Sequence, residues 1–273
     1  MSNVCKCYRG GNAKGGCQLP IYSDREWPIE AYDGDLDEDL GRFTSNAAAE
    51  RIIGDLSSAS KMPGPTYNLP SSACPMGSRL SKIKGTTCFG CLAADTVEWR
   101  KKMAEARGVP FKLNRFITPP VNHADRWRLI RLRHQRWVPA FVFVLRNRNH
   151  GCSEPWFRWH SEGDIQSANH LLNILLVAEH TPWTNHWIST QEFKLVHGVQ
   201  SPPNIRLMVS AERVDGPPRE DCDYVSTVST TDEPAHGGYR CPAGKDGGDY
   251  VCGPCRVCFI PDPAVHHVDY RRR

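Results

Sequence analysis

The second half of the chain alternates short β-type runs with one clear helical pattern. Aromatic and β-branched residues predict four strands, which run from Trp156 to His160, His186 to Thr190, Asn204 to Ser210 and Tyr224 to Ser229. After the first strand, apolar residues at helical spacing predict a helix from Asp164 to Glu179. Parallel strands separated by a helix and loops are typical of an α/β fold. We therefore expect a TIM-barrel-like sheet, either closed or partial and open.

The first half divides near residue 60. Residues 1–60 combine a glycine-rich stretch at 9–16 with an acidic stretch at 24–39, which together predict a flexible arm. The barrel-like domain is predicted over 61–235 and begins with a short strand from Thr66 to Leu69. A Cys-rich metal-binding loop with a basic tail is predicted over 236–273.

Helix signals in the first half are shorter. Asn46 predicts the cap of a helix that ends at Ile53, and the composition from Ala93 to Arg107 favours a second helix. Further helices are predicted after Asp125 and after Pro139.

Composition excludes two broad classes of protein. With 40% hydrophobic and 23% charged residues, the 273-residue chain can bury a sizeable core and is not globally disordered. No apolar run approaches the roughly 18 residues that a membrane span needs, so no membrane partner is expected. The first residues lack the pattern of a secretory signal, and a net charge of +4 does not by itself indicate nucleic acid.

Twelve cysteines are the most informative feature of the composition. In a chain without an export signal, clustered cysteines more often bind metal or do chemistry than form disulfides. The strongest cluster is Cys241 followed by Cys252, Cys255 and Cys258, the last three separated by two-residue gaps. Such gaps let thiolates converge on one centre, which can be zinc or an iron–sulfur cluster. A closed site of four thiolates is also compatible with a purely structural metal.

A second cluster comprises Cys74, Cys88 and Cys91, just after the predicted first strand. Three thiolates leave one metal position open for substrate or cofactor, and loops after strands carry the functional groups of α/β folds. Core packing of these cysteines is the alternative. A third group, Cys5, Cys7 and Cys17, lies in the predicted arm and is a candidate for an additional metal site.

Polar residues directly follow the predicted strand that ends at His160. His160, Glu162 and Asp164 are candidate catalytic residues, because the carboxyl ends of parallel strands form the active-site edge of such folds. For Asp164, capping of the following helix is the alternative interpretation.

An arginine-rich stretch runs from residue 126 to 148, with tryptophans interleaved and no acid. Arginine contacts phosphate and aromatic rings stack on bases, so DNA or RNA is a candidate partner. The residues proposed to contact it are Arg126, Arg128, Arg131, Arg133 and Arg136. A solvated helix face, or one that pairs with the acidic arm, is the alternative.

Several of these segments together resemble the bacteriophage gene product 88 family. The resemblance rests on the segment from Lys61 to Pro70, on the Cys88–Cys91 loop, on the segment from Phe157 to Asp164 and on the final cysteines. It implies a phage gene whose product works in the host-cell cytoplasm, an α/β barrel-like domain and cysteine-bound metal. The family motif His-Asp-Ser-Gly-Asp reads His-Ser-Glu-Gly-Asp here, at residues 160–164.

Two enzyme groups are similar at longer range, and they define the first two functional hypotheses. The cysteine loop after the first strand is similar to that of radical S-adenosylmethionine enzymes. This similarity implies an iron–sulfur cluster at Cys74, Cys88 and Cys91 and S-adenosylmethionine as cofactor. The first hypothesis is such an enzyme that acts on a nucleotide or nucleic-acid base. The final cysteines and the segment from Gly163 to Gln166 are similar to guanine and 7-deazaguanine transglycosylases, which implies a zinc-containing base-exchange enzyme that uses Asp164 or Glu162. A non-catalytic, metal-stapled nucleic-acid-binding protein is the third hypothesis.

Overall fold

The computed structural model describes residues 29–58, 62–91, 105, 126, 129–130, 134–149, 151, 155–243, 251–260 and 264–272. The strands in these ranges are β1 Ser57–Ser58, β2 Pro65–Tyr67, β3 Trp156–Trp159, β4 Asn185–Thr190, β5 Ile205–Ser210, β6 Tyr224–Ser229, β7 Tyr239–Arg240 and β8 His267–Arg271. The α-helices are α1 Leu36–Gly41, α2 Asn46–Ile53, α3 Pro75–Leu80, α4 His134–Asn149, α5 Ala168–Glu179 and α6 Phe193–Val196. Short 3₁₀ turns lie at Ser71–Ala73 and Ala235–Gly237.

One sheet contains all eight described strands, in the order β1-β2-β3-β4-β5-β6-β8-β7. β1 is antiparallel to β2, and the remaining seven strands are parallel to one another. The predicted α/β fold with a parallel sheet is therefore confirmed. Within the described residues β1 and β7 form the two edges of the sheet.

The predicted strands agree with the structure to within three residues at either end. The first predicted strand corresponds to β2, and the four in the second half correspond to β3, β4, β5 and β6. β8 was missed, because the sequence interpretation placed His267 in the tail. In the structure His267 is buried, and its strand pairs with both β6 and β7.

The main hydrophobic core lies between one face of the sheet and the helices. Phe157 and Trp159 of β3, Ile188 of β4 and Val209 of β5 are among its buried members, and Trp137 of α4 packs against them. Fully burying a large apolar side chain stabilises the fold by about 1.5–3 kcal/mol, so this face accounts for much of the folding free energy.

Residues 29–58 are folded onto this core, although the sequence placed them in a flexible arm. Asp35 caps α1 and Ser45, rather than Asn46, caps α2; each side chain accepts a backbone N–H hydrogen bond. Ile52 and Ile53 of α2 are buried in the core. The apolar face of α2, which follows the acidic stretch in the chain, therefore anchors this part of the protein.

Two helix predictions need correction in detail. Helix α5 begins at Ala168 and is capped by Ser167, whose side chain accepts a hydrogen bond from the His170 N–H, so Asp164 does not cap it. Helix α4 begins before Pro139 and contains it, whereas the sequence placed proline at the helix start.

Some predicted features lie outside the described residues. These are Cys5, Cys7, Cys17, Arg128, Arg131, Arg133 and the helix from Ala93 to Arg107 except Glu105. Among the residues that the structure does describe, no helix is long and apolar enough to cross a membrane.

Candidate metal and catalytic site

The candidate site lies at the carboxyl ends of β2 to β5, where the loops that follow parallel strands meet. The loops after β2 and β3 are in direct contact, because the Leu69 N–H donates to the Glu162 carbonyl at 2.9 Å. Gly163 permits this approach. Its φ is +84°, and a β-carbon there would lie 2.5 Å from the Leu69 β-carbon.

Cys74 and Cys88 lie at the same edge of the sheet, beside helix α3. A β-carbon on Gly77 would lie 3.5 Å from Cys74 Sγ and 4.0 Å from Cys88 Sγ. Both sulfur atoms therefore lie next to Gly77, and two cysteines that are 14 residues apart in sequence come together.

The loop that carries Cys88 and Cys91 is fastened across the ends of two other strands. The Thr87 N–H donates to the Glu212 carbonyl at 2.9 Å, and the Thr87 hydroxyl donates to the Ala211 carbonyl at 2.9 Å. Gln191, at the end of β4, donates from Nε2 to the Thr87 hydroxyl at 2.7 Å. These hydrogen bonds fix the position of Cys88 relative to β4 and β5.

The three thiols form one electrostatic cluster with two carboxyl groups. Burial raises the pKa of Cys74, and the negative charges of Asp164, Cys91, Cys88 and Glu192 raise it further. Burial likewise raises the pKa of Cys88 to about 12, with Cys91 the next contributor. The cluster therefore disfavours free thiolates, and a bound cation would reverse that preference because it stabilises the deprotonated form.

Asp164 occupies a buried position next to this cluster. Its Oδ1 accepts hydrogen bonds from the Thr190 hydroxyl at 2.6 Å and the Ile165 N–H at 2.8 Å, while Oδ2 accepts from the Gln191 N–H at 2.9 Å. Burial raises the pKa of Asp164 from 3.8 to about 7 despite these three hydrogen bonds. The carboxyl group can therefore hold or release a proton near neutral pH.

Glu192 is a second carboxyl group at the end of β4. Its Oε1 accepts a hydrogen bond from the Met76 N–H of helix α3 at 2.7 Å. Burial raises the pKa of Glu192. Glu192 was not among the candidate catalytic residues of the sequence analysis.

His160 and Glu162 occupy different surroundings from Asp164. The Nδ1 atom of His160 lies 3.2 Å from the carbonyl oxygen of Tyr67. The Nε2 atom of His160 has no hydrogen-bond partner among the described residues. Burial lowers the pKa of His160 to about 3, so the ring is neutral at pH 7. Glu162 is close to Arg126. Burial lowers the pKa of Arg126, and the negative charge of Glu162 partly offsets that effect.

The four carboxy-terminal cysteines form a separate cluster beside the other face of the sheet. Cys258 Sγ lies 3.1 Å from the Tyr270 hydroxyl of β8, and Cys255 Sγ lies 3.9 Å from the Tyr239 hydroxyl of β7. Burial raises the pKa values of Cys241 and Cys252, and Cys255 raises both of them further. The Cys258 pKa responds in turn to Cys241 and Cys252, so the four thiols are close enough to act on one another. That they hold a metal stays a prediction.

Arg206 holds this Cys-rich segment against the sheet. Its buried guanidinium donates to the backbone carbonyls of Val257, Ile260 and Val265, and it lies 4.2 Å from the centre of the Tyr224 ring. The sequence analysis did not single out Arg206. The signal that could have found it is a lone arginine inside the apolar run of β5.

Neither cysteine cluster is arranged as a finished metal site. Among the described residues, no group of three or more Cys, His, Asp or Glu side chains could hold a metal ion as it stands. The donor type fits a metal, since thiolates bind zinc and iron, but the thiols would have to move closer together to coordinate one.

The arginines predicted to contact nucleic acid do not share one surface. Arg126 is fully buried and donates to the carbonyls of Gly54 at 2.9 Å and Asn68 at 3.2 Å. A buried guanidinium with such partners cannot contact a phosphate, so the assignment of Arg126 to a nucleic-acid surface is wrong. Arg136 is exposed on α4, and the other three predicted contacts lie outside the described residues.

One comparison with known proteins gives a match. A family model described as gene product 88 matches residues 38–262, which is more than three quarters of the chain. The matched range includes all seven cysteines of the two clusters. No curated protein and no solved structure matches the chain.

Proposed function

We propose that this chain, which belongs to the gene product 88 family, is an enzyme whose reaction takes place at an iron–sulfur centre held by Cys74, Cys88 and Cys91. The observation that supports the proposal most directly is the convergence of these three thiols with Asp164 and Glu192 at the carboxyl ends of parallel strands. In α/β folds of this kind, that edge of the sheet carries the chemistry.

The donor set suits such a centre. Three thiolates satisfy three metal positions and leave one open, whereas a structural zinc site usually has four protein ligands. When bound, an iron–sulfur cluster with one open iron supplies a binding position and an electron for S-adenosylmethionine. Asp164 and Glu192 would add proton-holding groups at the same edge, since burial raises the pKa of both.

Cys241, Cys252, Cys255 and Cys258 would hold a second metal, with a structural role. Their segment lies against the sheet and is fastened by Arg206. A closed four-thiolate site there would stabilise the folded form of this glycine- and proline-rich loop, because the free energy of metal binding adds to that of folding. Zinc or an iron–sulfur cluster would meet this need.

A transglycosylase-like exchange of guanine or 7-deazaguanine is the alternative enzyme. It requires Asp164 or Glu162 to reach the sugar or base. Asp164 is only 5% exposed and its two oxygens already accept three hydrogen bonds. We therefore rank this alternative below the thiolate centre.

The substrate class that we propose is a nucleotide or nucleic-acid base, as the sequence analysis predicted. With Arg126 buried, an arginine surface for DNA or RNA would depend on the remaining arginines of the stretch. A non-catalytic role, in which both metals only fasten loops, would leave Cys88 dispensable for any reaction.

The test is S-adenosylmethionine cleavage by protein that has been purified and reconstituted with iron and sulfide without oxygen, in the presence of a chemical reductant. We expect cleavage by the wild type, loss of at least about 100-fold in Cys88→Ser because one ligand of the centre is removed, and no change in the control Cys222→Ser. Burial raises the pKa of Cys222, and the charges that act on it are those of Arg219, Asp221 and Asp223 and of no other described cysteine, which makes Cys222 a matched control. Equal cleavage by wild type and Cys88→Ser, or none by either, would contradict the proposal.

A further inference from the structure

Gln191 is placed between the Cys88 loop and Asp164. Its backbone N–H donates to Asp164 Oδ2 at 2.9 Å, and its side-chain Nε2 donates to the Thr87 hydroxyl at 2.7 Å and to the Ala211 carbonyl at 3.2 Å. The side chain is therefore held by two hydrogen bonds and the backbone by one within the candidate site. It is only 8% exposed.

The orientation of the Gln191 amide follows from the chemistry of its partners. The Ala211 carbonyl can only accept a hydrogen bond, and the Thr87 hydroxyl already donates to that same carbonyl at 2.9 Å. Both partners therefore require a donor from Gln191. A flipped amide would place its oxygen against the Ala211 carbonyl oxygen, which is repulsive.

This orientation leaves Gln191 Oε1 without a partner. The oxygen is buried and accepts no hydrogen bond from any described residue. An unpaired buried acceptor is costly, and such groups in folded proteins are usually paired by water or by a ligand. The Asp164 carboxyl group contacts the Gln191 backbone, and the charge of Glu192, the next residue in the chain, acts on Asp164. The surroundings therefore favour a donor that carries positive charge or N–H groups.

We propose that Gln191 Oε1 is a binding position for an amine or ammonium group of the cofactor or substrate. This inference rests on the proposed function and names the ligand chemistry at its site. Two sources share that chemistry, the amino group of S-adenosylmethionine and the exocyclic amine of an adenine base. The Asp164 and Glu192 carboxyl groups would complement an ammonium group, and the neutral amide oxygen would accept either kind.

The experiment compares the affinity of matched ligands by isothermal titration calorimetry, with protein as purified and after iron–sulfur reconstitution. The first pair is S-adenosylmethionine and the analogue that lacks its methionine α-amino group. The second pair is adenosine and inosine, which lacks the exocyclic amine of adenine. For wild-type protein we expect removal of the amine in one pair to weaken binding by about tenfold or more, as for one buried hydrogen bond to a ligand amine. The pair that responds identifies the source of the amine.

Three variants test whether the discrimination depends on the Gln191 Oε1 atom itself or on the general structure of the site. Gln191→Met keeps the length of the side chain and is expected to bind both members of the responding pair equally. Thr87→Val removes one partner of Nε2 but keeps Oε1, and should retain the discrimination even if the Cys88 loop loosens. Gln135→Met is the remote control, since the Gln135 amide already contacts Asp33 and Ala31.

The inference is overturned if no probe binds, if neither pair shows discrimination in the wild type, or if Gln191→Met discriminates as the wild type does. The metal content of each variant is measured in parallel. Loss of the cluster in wild-type protein would count against the proposed function, whereas a metal-loaded protein without amine discrimination would count against the role of Gln191 alone.

Discussion

Gly77 lies so close to Cys74 that a β-carbon on Gly77 would be 2.8 Å from the Cys74 β-carbon. Real β-carbons do not approach this closely, so a side chain at position 77 would displace Cys74. The position of Cys74 therefore depends on glycine at position 77.

This contact makes Gly77→Ala an informative substitution. Glycine to alanine inside a helix ordinarily stabilises by about 1 kcal/mol, but here the new methyl group displaces Cys74. We expect the variant to lose most of the metal at the Cys74 site while the protein stays folded, measured by metal analysis and circular dichroism. Gly41→Ala is the control, because a β-carbon there meets nothing within 4 Å. Full metal content in Gly77→Ala would show that Cys74 is not a ligand.

Asp164 predicts a distinctive dependence of stability on pH in the metal-free protein. Because its pKa is raised from 3.8 in the unfolded chain to about 7 in the folded protein, the folded state binds the proton more tightly. The contribution of Asp164 to stability is thus fully present below pH 4 and is lost as the pH rises to about 7, by at most about 1.4 kcal/mol per pH unit. Urea unfolding from pH 4 to 8 measures it.

Comparison with Asp164→Asn isolates this contribution from the other titrating groups. The asparagine variant should lack the fall in stability between pH 4 and 7, and Asp37→Asn, at an exposed position on α1, should keep it. Parallel pH profiles for wild type and Asp164→Asn would mean that the carboxyl group is ionised throughout this range.

Arg206 is expected to control the attachment of the Cys-rich segment. Arg206→Met leaves three backbone carbonyls without their donor, so we expect the free energy of unfolding to fall by about 3 kcal/mol and proteolysis within residues 251–265 to become faster. The matched control is Arg136→Met, at an exposed position on α4. If both variants resist protease like the wild type, the clamp is not important for this segment.

Arg126 is expected to act in folding and not in nucleic-acid binding. Its guanidinium joins the loop after α2 to the loop after β2 and lies 5.0 Å from the centre of the Tyr67 ring. Arg126→Met should lower the free energy of unfolding by about 3 kcal/mol. Measured in a fluorescence anisotropy assay under native conditions, any affinity for DNA should change less than twofold. A stable variant with strongly reduced DNA affinity would restore the surface assignment.

The strands of the second half could be predicted because their side chains satisfy local rules. The β-branched and aromatic residues of β3 to β6 are buried on at least one face of the sheet. The sequence therefore shows short runs of apolar residues that predict strands. β8 does not follow the pattern, since it contains Asp269, which is buried only because Thr227, Ser229 and Arg240 pair with it. Those partners are 29 to 42 residues away in the chain, beyond any local signal.

In the candidate site, too, features set by local sequence could be predicted and features set by tertiary contacts could not. The cysteine spacings indicated which thiols would cluster, since two-residue gaps constrain the backbone directly. The sequence could not decide whether Asp164 caps the following helix, because only the helix start at Ala168 and the tertiary contacts of Asp164 with Thr190 and Gln191 exclude that role. Arg126 was misassigned for a related reason, as its backbone partners come from residues 54 and 68.

The most direct test of the central claim is the iron, sulfide and zinc content of protein purified without oxygen, together with its absorption spectrum. We predict iron and sulfide with a visible charge-transfer band in the wild type and in Cys222→Ser. Cys88→Ser should lose the iron and the absorbance of the centre at Cys74, Cys88 and Cys91, and Cys252→Ser should keep that share if the protein folds. Zinc alone, near one ion per chain and unchanged by Cys88→Ser, would contradict an iron–sulfur centre at Cys74, Cys88 and Cys91.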